Sequence, residues 1–192
     1  EYFELPPEVE VTTYDGRAYL NVNRERYDVI MVDAYQDITI PFQMSSVEFF
    51  TMVRDHLTED GVMVVNMNMH TEEEGNINQY LSDTIASVFP EVYTVNVPRT
   101  TNRELFASAD GGMMKRFSAG VPSVEDPELR SLLETMSGEL APYEDGGLRL
   151  TDDKAPVELL GMSVIDAIIQ EEVGYSRQIF EEEGLSGILE SF

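Results

Sequence analysis

Three polar side chains, Asp15, Asp33 and Asn66, stand at or near the ends of segments whose composition predicts β-strands. Open α/β sheets bind their ligands at the carboxyl edge of their strands. A carboxylate at that edge can hold a cation by its charge and accept a proton from it. These residues are therefore the candidates for a ligand-binding or catalytic site.

The elements that would position the last two of these side chains form one βαβ unit. Asp28 to Asp33 is an apolar run closed by a carboxylate, which is typical of a strand buried on both faces of a parallel sheet. Ser45 to Leu57 carries a helical stripe of apolar residues behind a serine cap, and Asp60-Gly61 ends it. Val62 to Met67 is a second buried strand, so the two polar side chains would lie side by side at one edge of the sheet.

The remaining segments complete an α/β chain without internal repeats. Apolar periodicity, proline positions and turn residues predict further helices and strands. The predicted helices are Arg17 to Asn23, Asn76 to Phe89, Pro127 to Ser137, Pro156 to Glu172 and Ser176 to Glu190, and the predicted strands are Val9 to Thr13, Val92 to Val97 and Glu104 to Ser108. The last two strands are joined by a polar loop and are predicted to form an antiparallel pair.

The composition restricts the partners of the chain. Its formal net charge is −25, and Lys115 and Lys154 are its only lysines, so phosphate backbones and anionic lipid surfaces should be repelled. We expect no nucleic-acid partner. The acidity suits either a cationic substrate such as a polyamine or a solvated acidic surface, and the even spread of the acids along the chain favours the surface.

The sequence also bears on compartment and membrane topology. It has no cysteine, which fits a reducing interior, and no apolar run approaches the ~18 residues of a spanning helix. No basic-then-apolar secretion signal opens the chain. We therefore predict a cytoplasmic location and no direct membrane insertion of this chain, and we leave open whether a parent protein is attached to a membrane.

Several common chemistries lack the residues that they need. His56 and His70 are the only histidines and form no H-x-x-x-H pair, so the sequence predicts no metal site. No P-loop or G-x-S-x-G motif occurs, which disfavours nucleotide-phosphate and hydrolase functions. The 13 glycines contain no G-x-G pair, so the chain carries no glycine-rich cofactor loop of that type.

A combination of motifs over roughly residues 1 to 165 resembles the spermidine synthases, and more closely the divergent bacterial spermidine synthase-like proteins, some of which are fused to membrane segments. The combination is much more specific than any single motif. Its parts are YDVIMVDAYQD, IPFQMSSVEFF and DGVMVVN, the upstream segment Tyr14 to Leu20 and the downstream segment Leu150 to Glu158.

The resemblance implies a fold, a reaction and the roles of the strand-end acids. The fold would be a Rossmann-like S-adenosylmethionine-dependent methyltransferase fold, truncated on its N-terminal side, with helices on both faces of a mostly parallel sheet. The reaction would transfer an aminopropyl group from decarboxylated S-adenosylmethionine, or use S-adenosylmethionine itself, with a small cationic amine as acceptor. Asp33 matches the base that helps to deprotonate the attacking amine, and Asp15 with Gly16 matches the pair that hydrogen-bonds adenine.

The resemblance also implies substrate-binding positions, and here the sequence departs from the family. Tyr35, Gln36, Asp37 and Asn66 match that region. The family carries Asp-x-x-Asp-Pro at the strand end, whereas Asp37 comes one residue later and no proline follows. Asn66 is one methylene shorter than the family's glutamine, and the tyrosine expected before the last hairpin strand has no match in Pro98 to Thr101. These departures leave the amine acceptor open.

Three hypotheses follow for the whole chain, taken as a single truncated domain over 1–192 with a core at 1–110 and a C-terminal helical region at 111–192. The first is a spermidine synthase-like aminopropyltransferase region that is incompetent as this isolated chain because the glycine loop is absent. The second is a non-catalytic fragment that folds and self-associates but binds no cofactor. The third is a methyltransferase-like protein on the same scaffold.

The expected gap in the sheet predicts self-association. In the intact family two strands separate the one matching Val9 to Thr13 from the one matching Asp28 to Asp33, and neither has a match here. The unpaired side of the second strand would present backbone donors and acceptors to water or to another chain. Val9 to Thr13 could move in beside this strand, but the connecting helix Arg17 to Asn23 has only about two turns, which is near the lower limit for a parallel crossover. We therefore predict a homodimer with the exposed sheet edge, or the apolar surface around it, at the interface.

Overall fold

The computed structural model describes residues 5–34, 40–68 and 74–162, and these form an α/β fold with a mixed sheet. The α-helices are α1 (Gly16–Val22), α2 (Val47–Asp55), α3 (Ile77–Ala86), α4 (Met113–Gly120) and α5 (Pro127–Glu139). Phe42–Met44 and Val121–Ser123 are short 3₁₀-helices, and residues 157–162 are helical. The strands are β1 (Tyr27–Val32), β2 (Leu57–Met67), β3 (Glu91–Asn96), β4 (Arg103–Ser108) and β5 (Ala141–Pro142).

The strands of this sheet lie in the order β1, β2, β4, β3, β5. β1 and β2 run parallel, whereas β4 is antiparallel to both of its neighbours and β5 is antiparallel to β3. One face of the sheet packs against α2 and α3, and Phe49, Phe50, Leu81 and Ile85 fill that core. Near β4 the other face is covered by α4 and α5 around an apolar cavity of about 250 Å³. Helices thus pack on both faces of the sheet.

The predicted βαβ unit is confirmed, with one correction to its boundaries. Ser46 caps α2 by accepting a hydrogen bond from the Phe49 amide at 3.2 Å. The helix ends before Asp60-Gly61, and β2 already begins at Leu57, so this dipeptide lies inside the strand. It belongs to an irregular stretch where β1 and β2 change register, and a Cβ at Gly61 would lie 3.0 Å from the Tyr27 carbonyl oxygen. The glycine therefore permits close strand approach and does not end the helix.

The prediction that the first strand is buried on both faces is wrong. Ile30 and Val32 contact the core, but Val29 is 55% exposed and Met31 is 73% exposed on the opposite face. Among the described residues β1 pairs with β2 alone. An unbroken apolar run indicates which residues could be buried, but burial on the second face also needs a neighbouring layer.

The predicted strand Val9 to Thr13 is also wrong. Residues 9–13 are exposed and pair with no strand of the described sheet. Their β-branched side chains fit a pleated surface only where a partner strand supplies one. The other predicted helices and strands within the described residues form close to their expected places, and α4, which was not predicted, is added. Ser176 to Glu190 and most of Pro156 to Glu172 lie outside the described residues.

A buried carboxylate attaches the C-terminal region to the core. Asp83 of α3 is fully buried and accepts hydrogen bonds from the Tyr143 hydroxyl at 2.7 Å and from the Gly146 and Leu148 amides at 2.9 Å each. Leu150, also fully buried, donates its amide to the Thr84 hydroxyl at 3.0 Å. These bonds hold the segment from 143 to 150 against α3.

No helix within the described ranges is both long enough and apolar enough to cross a membrane.

Candidate functional site

The structure brings Asp33 and Asn66 together at the carboxyl edge of the parallel pair. Val32 is in register with Val65, so the residues that follow them, Asp33 and Asn66, lie side by side. The Asn66 Nδ2 group donates a hydrogen bond to Asp33 Oδ1 at 3.2 Å. The predicted juxtaposition is confirmed, and it depends on the parallel register of β1 and β2.

A third polar residue, Glu104, joins this pair through the antiparallel neighbour of β2. Glu104 is directly opposite Asn66 in the register of β2 and β4, so their Cβ atoms share one face of the sheet at about 5 Å. Because β4 begins where β2 ends, its first residues lie at the ligand-binding edge. We name Asp33, Asn66 and Glu104 the edge cluster.

The edge cluster is acidic, and not all of its hydrogen-bonding atoms have a partner within the described residues. Asp33 is exposed, whereas Glu104 is partly buried, and burial followed by the charge of Asp33 raises the pKa of the Glu104 carboxyl group. The Asn66 Oδ1 atom is buried and accepts no hydrogen bond within the described part of the chain. Two carboxyl groups and an unpaired acceptor in one place favour a ligand that is cationic and carries hydrogen-bond donors.

Glu104 was missed by reasoning from the sequence, although a signal was available. The sequence predicts a strand that begins at Glu104 and a polar loop that joins it to the preceding strand. What it lacked was the strand order: β4 lies between β2 and β3, so the start of β4 and the end of β2 become neighbours. If the second strand of the predicted antiparallel pair is placed next to β2, Glu104 becomes a candidate site residue.

Asp15 and Gly16 lie at the start of α1. Asp15 Oδ1 accepts a hydrogen bond from the Ala18 amide at 2.7 Å, so this carboxylate is the N-cap of the helix. Both residues are exposed, and no hydrogen bond joins Asp15 to the edge cluster among the described residues. Their predicted contact with adenine stays a prediction. Tyr35, Gln36 and Asp37 lie outside the described residues.

The downstream segment Leu150 to Glu158 is hydrogen-bonded to α1, the helix that follows Asp15. Arg17 donates two hydrogen bonds to the Asp152 carboxylate, at 2.8 and 2.5 Å, and one to the Gln43 carbonyl at 2.9 Å. The same carboxylate accepts from the Ser46 hydroxyl at 2.5 Å. The hydrogen bond from Arg17 lowers the pKa of Asp152. This motif therefore connects the starts of α1 and α2, and its acid is structural.

A cavity of about 480 Å³ opens beside β1, along the edge of that strand that no described strand covers. Val29 and Met31 contribute to its lining, and alternation along the strand places Asp33 on the same face. Tyr19 and Leu20 of α1 line it as well. The cavity therefore lies between the helix that carries Asp15 at its start and the strand that leads to Asp33.

The described residues contain no group of three or more histidine, aspartate or glutamate side chains arranged to hold a metal ion.

Comparison with known proteins identifies relatives along nearly the whole chain. A probable polyamine aminopropyl transferase of Bifidobacterium longum is 51% identical over 206 aligned positions, which cover 98% of this chain and 46% of that protein. The chain thus spans about half the length of the curated relatives it matches.

Solved structures show the same fold. A probable spermidine synthase from Corynebacterium glutamicum matches with a TM-score of 0.55 and 18% identity, over 77% of this chain and 56% of the other. A spermidine synthase in complex with the transition-state analogue AdoDATO matches with a TM-score of 0.51 and 22% identity, over 69% and 52% respectively. The family described as spermine/spermidine synthase domain matches residues 6–114, which is more than half of the chain. This chain belongs to the spermine/spermidine synthase family.

Proposed function

We propose that this chain supplies the amine side of an aminopropyl transfer, in which decarboxylated S-adenosylmethionine is the donor and a cationic amine is the acceptor. The observation that carries the proposal is the Asp33 carboxylate, held by Asn66 at the carboxyl edge of β1 and β2 in a chain of this family. The 51% identity to a protein described as a probable polyamine aminopropyl transferase supports it.

The residues fit the chemistry of both reactants. The acceptor is an ammonium ion at neutral pH, and the donor supplies a methylene carbon activated by an adjacent sulfonium. Both reactants are cations, which suits the two carboxyl groups of the edge cluster. The rest of the site, including any glycine-rich loop, would have to come from outside this chain.

Asp33 is proposed to act as the base. Its carboxylate holds the ammonium by charge and takes one proton, which frees the nitrogen lone pair to form a bond to the methylene carbon. The carbon–sulfur bond breaks, its electron pair goes to sulfur, and the sulfonium becomes a neutral thioether. The hydrogen bond from Asn66 fixes the Asp33 carboxylate, and the exposure of Asp33 gives the amine access.

Asp15 and Gly16 are proposed to contact the adenine of the donor. The bond from the Ala18 amide orients the Asp15 carboxylate, and the Arg17–Asp152 pair holds the helix start in place. Tyr35, Gln36 and Asp37 are proposed to contact the amine.

The test is thioether release from decarboxylated S-adenosylmethionine and a diamine, measured with a protein that contains this chain and a glycine-rich loop. Asp33→Asn should lower turnover by ~10² or more, since a positioned base typically contributes that much, with donor affinity nearly unchanged. Asp28→Asn, at the opposite exposed end of β1, is the matched control and should keep its activity. Equal losses in the two variants would refute the role of Asp33.

Calorimetric titration of this chain with the donor and the thioether product tests the alternative, a non-catalytic, self-associating role. Binding of either ligand would favour the enzymatic role.

We also propose that a second copy of the chain covers the open edge of β1. The support is the absence of a strand on one side of β1 within the described residues, together with the exposure of Val29 and Met31. Light scattering should show a dimer at micromolar concentration, and Met31→Lys should shift it toward monomer. A monomeric wild-type chain would refute this proposal.

A further inference from the structure

The surroundings of Glu104 are unfavourable for an ionised glutamate. It is partly buried, it stands directly opposite Asn66, and the nearby charge of Asp33 disfavours its ionised form. Within the described part of the chain, neither Asp33 nor Glu104 forms an ion pair with an arginine or lysine. Such an arrangement is unfavourable for the empty protein, and a bound cation would reverse it.

Asn66 points to the same missing partner. Its Nδ2 group is used by Asp33, and its Oδ1 atom is buried without a donor among the described residues. Buried acceptors are nearly always hydrogen-bonded in folded proteins, so each exception calls for an explanation. A donor is missing next to two acids, and a cationic N–H group would satisfy all three residues.

We propose that Glu104 is a substrate-binding residue of the edge cluster, where it holds an ammonium group of a primary diamine or polyamine together with Asp33 and Asn66. This inference rests on the proposed aminopropyl transfer and adds the residue that selects the acceptor. An ammonium that draws both carboxylates toward itself is placed over Asn66, where its third N–H group reaches Oδ1. Asp33 takes the proton that is lost, and Glu104 keeps its negative charge beside the substrate.

The three acceptors give the site its selectivity. A primary ammonium carries three N–H donors, one for each residue of the edge cluster. A sulfonium or quaternary ammonium carries the charge without N–H donors, so it satisfies neither Asn66 Oδ1 nor the directional part of the carboxylate contacts. Glu104 therefore favours a primary ammonium over a cationic centre without N–H groups at this position.

The test is a nuclear magnetic resonance titration of the full ¹⁵N-labelled chain with 1,4-diaminobutane. Tetramethylammonium chloride at equal ionic strength is the control for general attraction to an acidic protein. The Asn66 side-chain amide should shift along a saturable curve with the diamine and not with tetramethylammonium. Glu104→Gln should weaken diamine binding about tenfold, as the loss of a charge-assisted hydrogen bond does.

Glu59→Gln is the matched variant, because it removes the same charge from an exposed position near the other end of β2. It should leave the affinity within about twofold, the range of a distant surface charge. Equal weakening in Glu104→Gln and Glu59→Gln would overturn the inference. Full diamine affinity in Glu104→Gln, with loss in Asp33→Asn, would overturn it while leaving the proposed transfer intact. A wild-type chain that does not bind the diamine would count against both.

Discussion

Two carboxylates, Asp83 in α3 and Asp33 after β1, show how the same chemical group serves the fold in one region and the proposed chemistry in another. Asp83 is fully buried and accepts three hydrogen bonds, all from the segment that it fixes. Asp33 is exposed, accepts one hydrogen bond within the described residues, from Asn66, and has a second acid nearby in Glu104. A buried acid with all its partners stabilises structure, whereas an acid with too few partners at a sheet edge is available to a ligand.

The effect of Asp83 on its partner Tyr143 supports this contrast. Burial, followed by the hydrogen bond to Asp83, raises the pKa of the Tyr143 hydroxyl. The tyrosine therefore stays a neutral donor, and the contact is maintained across the neutral pH range.

Truncating each carboxylate is the strongest test of the comparison. Asp83→Ala should lower the free energy of unfolding by about 3 kcal/mol or more, because it leaves two amides and a hydroxyl without their acceptor. Asp33→Ala removes one bond at an exposed position and should change stability by less than about 1 kcal/mol. Urea unfolding followed by circular dichroism measures both. Similar losses in the two variants would remove the distinction between a structural and an available acid.

Close packing around Asp83 can be tested with a single methyl group. A Cβ added at Gly146 would lie 2.8 Å from Asp83 Oδ2, so Gly146→Ala should destabilise the fold by about 1–2 kcal/mol through overpacking. Gly138, inside α5, has nothing within 4 Å of an added Cβ. Gly138→Ala should therefore be neutral or stabilising by up to about 1 kcal/mol, as expected for a helical glycine. The comparison fails if thermal melting ranks the two variants in the opposite order.

The smallest predicted effect concerns Glu104 and pH. Because the pKa of Glu104 is raised in the folded state, by burial first and by Asp33 second, the folded chain binds this proton more readily than the unfolded chain. Its contribution to stability is present below the ordinary glutamate pKa and is lost as pH rises through the raised value. Glu104→Gln cannot ionise, so it should match the wild type near pH 4 and exceed it slightly near pH 7.

Urea midpoints of both proteins across this range would measure the difference. A variant that is less stable than the wild type at neutral pH would show that ionised Glu104 already has a partner in the folded chain.

Much of the fold follows from local sequence patterns. The serine cap and apolar stripe of α2 and the apolar runs that form β1 and the end of β2 act over a few residues, and the structure confirms these three elements. The adjacency of Asp33 and Asn66 follows as well, since a short crossover between two strands leaves few alternatives to a parallel pair. Two of the three residues of the edge cluster were therefore available from the sequence.

The rest required knowledge of which segments become neighbours. The sequence by itself determined the types of element, the helix caps and the strand-end acids, because these depend on propensity and periodicity over a few residues. Only the tertiary structure placed β4 between β2 and β3, left Val29 and Met31 uncovered, and brought Gly146 against Asp83 from 63 positions away. Those outcomes depend on pairing and packing between distant segments, for which a local pattern carries no information about the partner.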